Sequence, residues 1–242
     1  MFFSKLIIIF LNFLDYFQQK KIIKLVNGKF TKPLVVVDVG AHHGETIKLF
    51  SNNLRLKKIY SIEASPENFK ILKKKFQKKK KDGIKIYNFG LGDKISQNFI
   101  NQTVESSSST INQINHNSDY LKKKLKILNI KNNKKFYQKI PIKIYTLDHF
   151  IKKNNINIID LLKIDTEGYE YNILKGASKY FHLIHLIYFE HHYDDMIVKN
   201  YKFSDIHDLL KKKRFKMIKK SKMLFRKSFE YVYENEKFRI NL

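Results

Sequence analysis

The 242-residue chain contains no cysteine, and only three prolines and eight glycines. Without cysteine, disulfide bonds and thiolate metal sites are both excluded, so chemistry must come from carboxylates, histidines and the backbone. This composition suits a reducing compartment, and we expect a cytoplasmic protein. The sequence also has no apolar run close to the roughly 20 residues that a membrane-spanning helix needs.

Arginine is nearly absent as well, since only four of the 48 basic residues are arginine. The formal net charge of +26 is typical of proteins that bind nucleic acid or anionic membranes. However, arginine is the better bidentate ligand for phosphates and bases. Its scarcity argues against a nucleic-acid partner and favours solvated lysine faces, such as those of runs 73–81 and 121–126.

The first 28 residues predict an amphipathic helix that precedes a domain over 29–242. Three polar residues, Lys5, Asn12 and Asp15, interrupt its apolar sequence, so it does not span a membrane. Two placements stay open. The helix packs on the core of the domain or on the partner of a homodimer, or residues 1–24 lie peripherally on a membrane surface.

Apolar strand patterns alternate with helical stretches from residue 34 onwards. The predicted strands cover 34–39, 58–64, 84–90, 139–145, 158–165 and 183–190. This alternation predicts an α/β fold with a parallel, doubly wound sheet. Segments 214–220 and 229–236 predict an antiparallel hairpin, and residues 93–135 are a loop-rich insertion that we expect to contact the substrate.

Carboxylates stand at or just after the ends of several predicted strands. They are Asp38, Glu63, Asp165, Glu167 and Glu190. In open α/β sheets, ligands bind at the carboxyl ends of the strands. Together, these positions predict one ligand-binding edge.

The segment VDVGAHHGET contains a D-x-G-x-x-x-G turn, with Asp38, Gly40 and Gly44 at the fixed positions. This spacing differs from that of a dinucleotide pyrophosphate loop. Glu63, after the next strand, stands where an acidic side chain accepts hydrogen bonds from ribose hydroxyls. Asp38 suits the ammonium and sulfonium of S-adenosylmethionine, and the helix start near Gly44 would attract the carboxylate of that cofactor.

Asp165 and Glu167 lie two residues apart in DTEG, with Gly168 allowing a sharp turn between strand and helix. One of them is expected to act as a catalytic base or to hold a substrate hydroxyl, assisted by Lys163 or His191. Two alternatives remain open. The turn only caps a helix, or Asp165 and Glu167 bind a divalent cation together with Glu190 or His191, although no feature of the sequence selects a metal.

The strings VVVDVGAHHGET, IYSIEASPENFKIL, NFGLGD, YTLDHFI, IDLLKIDTEGYEYNILKGA and IYFEHH occur in an order that resembles the FkbM family of S-adenosylmethionine-dependent methyltransferases. The resemblance runs from about Leu34 to Asp194. It implies a Rossmann-like class I methyltransferase fold with a mostly parallel seven-stranded sheet and helices on both faces. It also implies O-methylation, often of a hydroxyl on a sugar, a glycan or a small metabolite.

By the same resemblance, the cofactor is lined by Asp38, Gly40, Ala41 and Gly44. Glu63 would hold the ribose, and Gly92 and Asp93 would lie near the adenine. His42 and His43 depart from what we expect in this turn. The net charge keeps an RNA methyltransferase as one alternative. The two histidines and the N-terminal helix keep a second, a non-catalytic membrane-associated scaffold.

Overall fold

The computed structural model describes residues 19–76, 83–130, 136–224 and 226–241. The predicted N-terminal helix therefore falls largely outside the described residues, and with it most of the proposed membrane contact through 1–24. Residues 19–29 are helical and form the described part of helix α1. None of the helices in the described ranges is long and apolar enough to cross a membrane.

Seven strands form the main sheet in the order β3-β2-β1-β7-β8-β10-β9. All neighbours in it are parallel except β10, which runs antiparallel to both β8 and β9. Its strands are β1 Leu34–Val39, β2 Leu56–Glu63, β3 Ile84–Asn88, β7 Ile159–Ile164, β8 Ile184–His192, β9 Phe215–Lys222 and β10 Ser228–Asn235. The prediction of a mostly parallel seven-stranded sheet with an antiparallel C-terminal hairpin is confirmed.

Helices cover both faces of this sheet, as predicted. After α1 they are α2 Glu45–Asn53, α3 Pro66–Phe76, α4 Asp119–Ile127, α5 Leu147–Lys153, α6 Glu170–Lys175 and α7 Phe203–Lys212. Apolar residues of α1, α2 and α3 pack with Val36 and Leu161 on one face. Residues of α5, α6 and α7 pack with Val37 and Leu162 on the other. Consecutive residues of one strand, such as Val36 and Val37, therefore pack into opposite cores, because successive side chains of a strand point to opposite faces of the sheet.

A smaller sheet, in the order β4-β6-β5, lies beside the carboxyl end of β2. Its strands are β4 Gly90–Leu91, β5 Ser96–Thr103 and β6 Tyr137–Tyr145. Ile100, Ile142 and Ile144 pack with Ala64, the residue that follows β2. Strand β5 lies inside the segment that we expected to be loop-rich. Its sequence SQNFINQT lacks apolar alternation because Asn101 and the following Gln and Thr are polar although buried.

Candidate functional site

Polar side chains of neighbouring strands meet near the carboxyl end of the main sheet. The register places Asp38 of β1 opposite Ser61 of β2 on one side and opposite Lys163 of β7 on the other. Tyr188 of β8 lies opposite Lys163. These polar groups therefore lie side by side at the ligand-binding edge that the sequence predicts.

The glycine turn between β1 and α2 is held in left-handed backbone conformations. Gly40 and Gly44 have φ angles of 85° and 88°, and His42 has a φ of 47°. A Cβ atom on Gly40 would lie 1.8 Å from the carbonyl oxygen of Asp165, so only glycine allows this approach. Ala41 is buried within the turn. The turn is thus pressed against the first residue after β7.

Glu63 fixes the same turn from the neighbouring strand. Its Oε2 accepts a hydrogen bond of 2.8 Å from the His42 amide, and its Oε1 accepts one of 2.9 Å from the Ser65 amide. The side chain is buried, and burial raises the pKa of Glu63. Each oxygen can accept one further hydrogen bond, so the ribose contact stays a prediction that this geometry accommodates.

A carboxylate of the protein itself lies at the N-terminus of α2. Oε2 of Glu45, the first helical residue, accepts a hydrogen bond of 3.1 Å from the His43 amide. All the amides from Gly40 to Gly44, each in a described residue, donate to protein acceptors. The Glu45 carboxylate therefore opposes the predicted attraction of a cofactor carboxylate to this helix start.

Asp38 and Lys163 are both buried and form an ion cluster with the partly exposed Asp165. The Lys163 Nζ lies 3.6 Å from Asp38 Oδ1 and 3.1 Å from Asp165 Oδ2, and Ser61 donates to Asp38 at 3.2 Å. Burial alone would lower the pKa of Lys163, but the two carboxylates raise it above its ordinary value. Asp38 has no exposed surface. Its negative charge therefore faces Lys163. The sequence suggested that this side chain contacts a cofactor cation, but the buried carboxylate is not accessible for that contact.

The DTEG segment turns sharply, as predicted, through left-handed conformations at Glu167 (φ 52°) and Gly168 (φ 90°). The following helix α6 has no side-chain hydrogen bond at its N-cap residue, Tyr169, and the carboxylate that holds the turn before it belongs to Glu170. Its Oε1 accepts a hydrogen bond of 3.0 Å from the Gly168 amide, and its Oε2 accepts one of 2.5 Å from Tyr201. Glu167 therefore does not cap this helix, which counts against the purely structural alternative.

Glu167 instead contacts a buried histidine, His192 at the end of β8. The His192 Nε2 lies 3.4 Å from Glu167 Oε2 and 3.5 Å from Glu190 Oε1, and its Nδ1 lies 3.6 Å from Asp194 Oδ2. Burial opposes the charged ring, but the surrounding carboxylates raise the pKa of His192 to about 10. Burial raises the pKa of Glu167 to about 7 against the opposing charge of His192. At neutral pH, the pair combines an imidazolium with a carboxyl group poised to gain or lose a proton.

The alternative of a divalent cation at Asp165, Glu167 and Glu190 has no matching arrangement here. Within the described ranges, three metal-ligating side chains bring their ligand atoms to within 4.8 Å of one another at His42, His43 and Glu45. Among the carboxylates near Glu167, positive charge comes from His192 and Lys124.

His191, which we selected as the assisting histidine, lies on the other face of β8. It is buried, and its ring centroid lies 4.8 Å from that of Tyr193 and 5.8 Å from that of Phe203. Burial lowers the pKa of His191 to about 4, so it is a neutral core residue. The structure does not bring it to Asp165 and Glu167. Strand alternation was the overlooked signal, because residues 190 and 192 share a face and 191 does not.

Gly92 and Asp93 follow the short strand β4. A Cβ atom on Gly92 would lie 3.0 Å from Ile144 and 3.2 Å from the Tyr169 ring. The partly exposed Asp93 carboxylate pairs with Lys175 at 3.1 Å. The adenine contact of these two residues stays a prediction.

The segment 105–112 crosses from the glycine turn to the DTEG turn. Ser106 Oγ lies 2.7 Å from the His42 Nε2, Thr110 donates to the Glu167 carbonyl oxygen at 2.7 Å, and Asn112 donates to the Gly168 carbonyl oxygen at 2.6 Å. Sequence reasoning placed this segment near the substrate but did not identify these contacts or those of His192. The hydrogen bonds of segment 105–112 therefore connect the glycine turn to the DTEG turn.

A family model described as the methyltransferase FkbM domain matches residues 38–217 of this chain. The match includes the glycine turn, Glu63, the DTEG turn and His192. No curated protein sequence matches the chain.

Solved structures with methyltransferase descriptions are similar to this chain in fold. Methyltransferase FkbM from Methylobacillus flagellatus KT gives a TM-score of 0.53 at 15% identity, over 83% of this chain and 44% of that one. This chain thus spans less than half the length of that relative. A magnesium protoporphyrin IX methyltransferase from Synechocystis PCC 6803 with bound SAM gives a TM-score of 0.52 at 9% identity, over 92% and 80% of the two chains. An uncharacterised protein from Listeria monocytogenes serotype 4b gives 0.50 at 12% identity, over 90% and 68%.

Proposed function

Because the chain belongs to the FkbM methyltransferase family, we propose that it transfers a methyl group from S-adenosylmethionine to a hydroxyl oxygen of a small molecule or a glycan. The family match and the Rossmann-like fold support methyl transfer. The activity, the cofactor, the oxygen acceptor and the acceptor class are all parts of this proposal.

The observation that carries the choice of oxygen is the Glu167 carboxyl group beside His192. A hydroxyl must lose its proton as it is methylated, and a base is most effective when its pKa lies near the working pH. Burial raises the pKa of Glu167 to about 7, which meets this requirement. His192 is charged over the same pH range, since its pKa is raised to about 10 by the surrounding carboxylates once the opposing effect of burial is overcome.

The glycine turn and Glu63 fit the nucleoside part of S-adenosylmethionine. Gly40 lacks a side chain, which allows the turn to lie against the Asp165 carbonyl oxygen. Glu63 contacts the same turn, and its carboxylate oxygens can accept further hydrogen bonds. When bound, the cofactor supplies a methyl group on a positively charged sulfonium, so the leaving group needs no further activation.

The residues of this chain would then position the acceptor and remove its proton. Glu167 accepts the hydroxyl proton, and His192 holds the Glu167 carboxylate in place while balancing Glu190 and Asp194. Lys163 forms an ion pair with Asp165, the first residue of the DTEG turn, and holds it in place. Alignment of the reacting atoms supplies most of the remaining rate enhancement in such displacements.

The charges around Glu167 favour a hydroxylated acceptor over RNA. Three further carboxylates lie near His192 or Lys163, on Asp165, Glu190 and Asp194. Carboxylates repel the phosphates that supply most of the affinity in nucleic-acid binding. Positive groups also act on this site, namely His192 and Lys124 on Glu167 and Arg226 on Asp165. The carboxylates offset these charges, so the site is not a uniformly basic surface.

The test is calorimetric titration of the full chain with S-adenosylhomocysteine. We expect wild type and Glu167→Gln to bind equally, because Glu167 is assigned to the acceptor. Glu63→Gln should bind about 1 to 3 kcal/mol more weakly, the scale for lost hydrogen bonds to a charged group.

Glu236→Gln makes the same chemical change in an exposed residue of the C-terminal 3-10 helix Glu236–Asn241, and it should match wild type. Thermal unfolding of each variant separates lost binding from lost folding. Absence of binding by the folded wild type would contradict the proposed cofactor and leave the non-catalytic scaffold as the interpretation to pursue.

A further inference from the structure

Two adjacent histidines in the glycine turn are not used by the proposed methyl transfer. His42 and His43 lie in this turn, and Glu45 follows as the first residue of α2. Their spacing is not that of a helical H-E-x-x-H zinc motif. The turn nevertheless brings one ligand atom from each of the three side chains to within 4.8 Å of the others.

One separation within this cluster matches the spacing of two ligand atoms on a tetrahedral ion. The His42 Nδ1 lies 3.3 Å from the Glu45 Oε2. Ligand atoms on a tetrahedral zinc, with bonds of about 2.0 to 2.1 Å, lie about 3.3 Å apart. The two imidazole rings are stacked, with centroids 3.7 Å apart and planes at 19°. Stacking places both rings on the same side of the turn.

The surroundings keep the cluster ordered and accessible. The second ring nitrogen of His42, Nε2, is 2.7 Å from Ser106 Oγ, and such an outer hydrogen bond orients a metal-binding histidine. The Glu45 side chain is 63% exposed, so an ion can enter from solvent.

One charged group opposes a cation here. Lys75 of α3 donates a hydrogen bond of 3.0 Å to the His43 carbonyl oxygen. The Lys75 ammonium therefore lies near the turn, where it contacts a backbone carbonyl oxygen and not one of the three metal-ligating atoms. We expect this charge to reduce the affinity without blocking the three ligands.

We propose that His42, His43 and Glu45 bind one divalent transition metal ion, with Zn²⁺ as the representative ion. Two imidazoles and one carboxylate suit Zn²⁺ and its neighbours better than Mg²⁺ or Ca²⁺, which prefer oxygen ligands. Three protein ligands leave the remaining coordination position to water. The site lies in the same glycine turn as the proposed cofactor contacts but uses side chains that the proposed methyl transfer does not.

Titration of the metal-stripped full chain with Co²⁺, followed by visible absorption, tests the site, and Zn²⁺ titration by calorimetry gives the stoichiometry. Wild type should bind one ion per chain with the absorption of a four-coordinate Co²⁺ complex. His42→Asn, His43→Asn and Glu45→Gln should each weaken binding about tenfold or more. Asparagine suits position 42 because it tolerates the left-handed conformation.

His182→Asn is the matched control, because His182 is exposed in the 3-10 helix Phe181–Leu183 and should leave binding unchanged. Zn²⁺ should also raise the melting temperature of wild type, since the ligands come together only in the folded chain. Unchanged affinity in all three ligand variants would overturn the proposal. So would the absence of 1:1 binding by wild type, whose folding does not depend on any substitution.

Discussion

At the scale of single residues, the candidate site depends on the pairing of Glu167 with His192. The carboxylate and the imidazole are both largely buried, with side chains 15% and 12% exposed. A charge removed from water is stable only when it is paired. His192 therefore keeps Glu167 ionisable at neutral pH while three carboxylates keep His192 protonated.

Glu167→Gln should lower the rate of methyl transfer by about 10² to 10⁴, the usual contribution of a general base. Because the pKa of Glu167 is raised by burial to about 7, the wild-type rate should rise with pH up to about 7 and then level off. The variant should lose this rise. The measurement is transfer of radiolabelled methyl groups from S-adenosylmethionine to a panel of monosaccharides, phenols and nucleosides. A variant with the wild-type pH profile would exclude Glu167 as the base.

His192→Asn should destabilise the chain by about 3 kcal/mol near pH 6, because it leaves buried carboxylates without their cation. The carboxylates around His192 outweigh burial and raise its folded-state pKa to about 10, so its stabilising effect is complete below the ordinary histidine pKa and is lost as pH rises towards about 10. Urea unfolding of both proteins at pH 6 and pH 9.5 should show the difference shrinking. A difference that does not change with pH would rule out a charged His192.

At the scale of elements, the site is made by turns at the ends of parallel strands. The turn after β1 and the turn after β7 touch directly at Gly40 and the Asp165 carbonyl oxygen. Strand register adds the second link, since Asp38 and Lys163 face each other across β1 and β7. Neither turn can shift without moving the other.

Gly40→Ala should lower the free energy of unfolding by at least about 2 kcal/mol, because it adds a clash to a strained left-handed conformation. Gly28→Ala provides the matched control within α1, since a Cβ atom there meets nothing within 4 Å. It should leave stability unchanged or raise it by up to about 1 kcal/mol. Denaturant unfolding measures both, and equal effects would mean that the contact between the turns does not constrain Gly40.

At the scale of the whole molecule, charge is the dominant feature. The net charge of +26 creates repulsion within the folded chain. Buried pairs such as Lys163 with Asp38 are screened little by salt, whereas exposed lysines are screened strongly.

Raising NaCl from 20 mM to 300 mM should therefore increase the melting temperature by a few degrees, since about 1 kcal/mol corresponds to about 2–4 °C in a chain of this size. The measurement is differential scanning calorimetry at pH 7 on the full chain. Potassium chloride should give the same result, because screening depends on ionic strength. A melting temperature that falls with salt would show that attractive surface pairs outweigh the repulsion.

The sequence by itself determined the alternation of strands and helices, the mostly parallel sheet, the antiparallel hairpin and the glycine turn. Apolar runs and glycines are local signals, and parallel strands joined by helices allow few arrangements. The FkbM resemblance was readable for the same reason, because its motifs are short and contiguous. Strand β5 was harder to predict, since it buries asparagine and glutamine where alternation normally shows apolar residues.

Only the tertiary structure decided which members of the site meet. His192 rather than His191 reaches Glu167 because strand register and pleat direct alternate side chains to opposite faces. Asp38 faces Lys163 because two strands distant in sequence are neighbours in the sheet. Contacts of this kind depend on the relative placement of whole elements, which no local pattern of residues encodes.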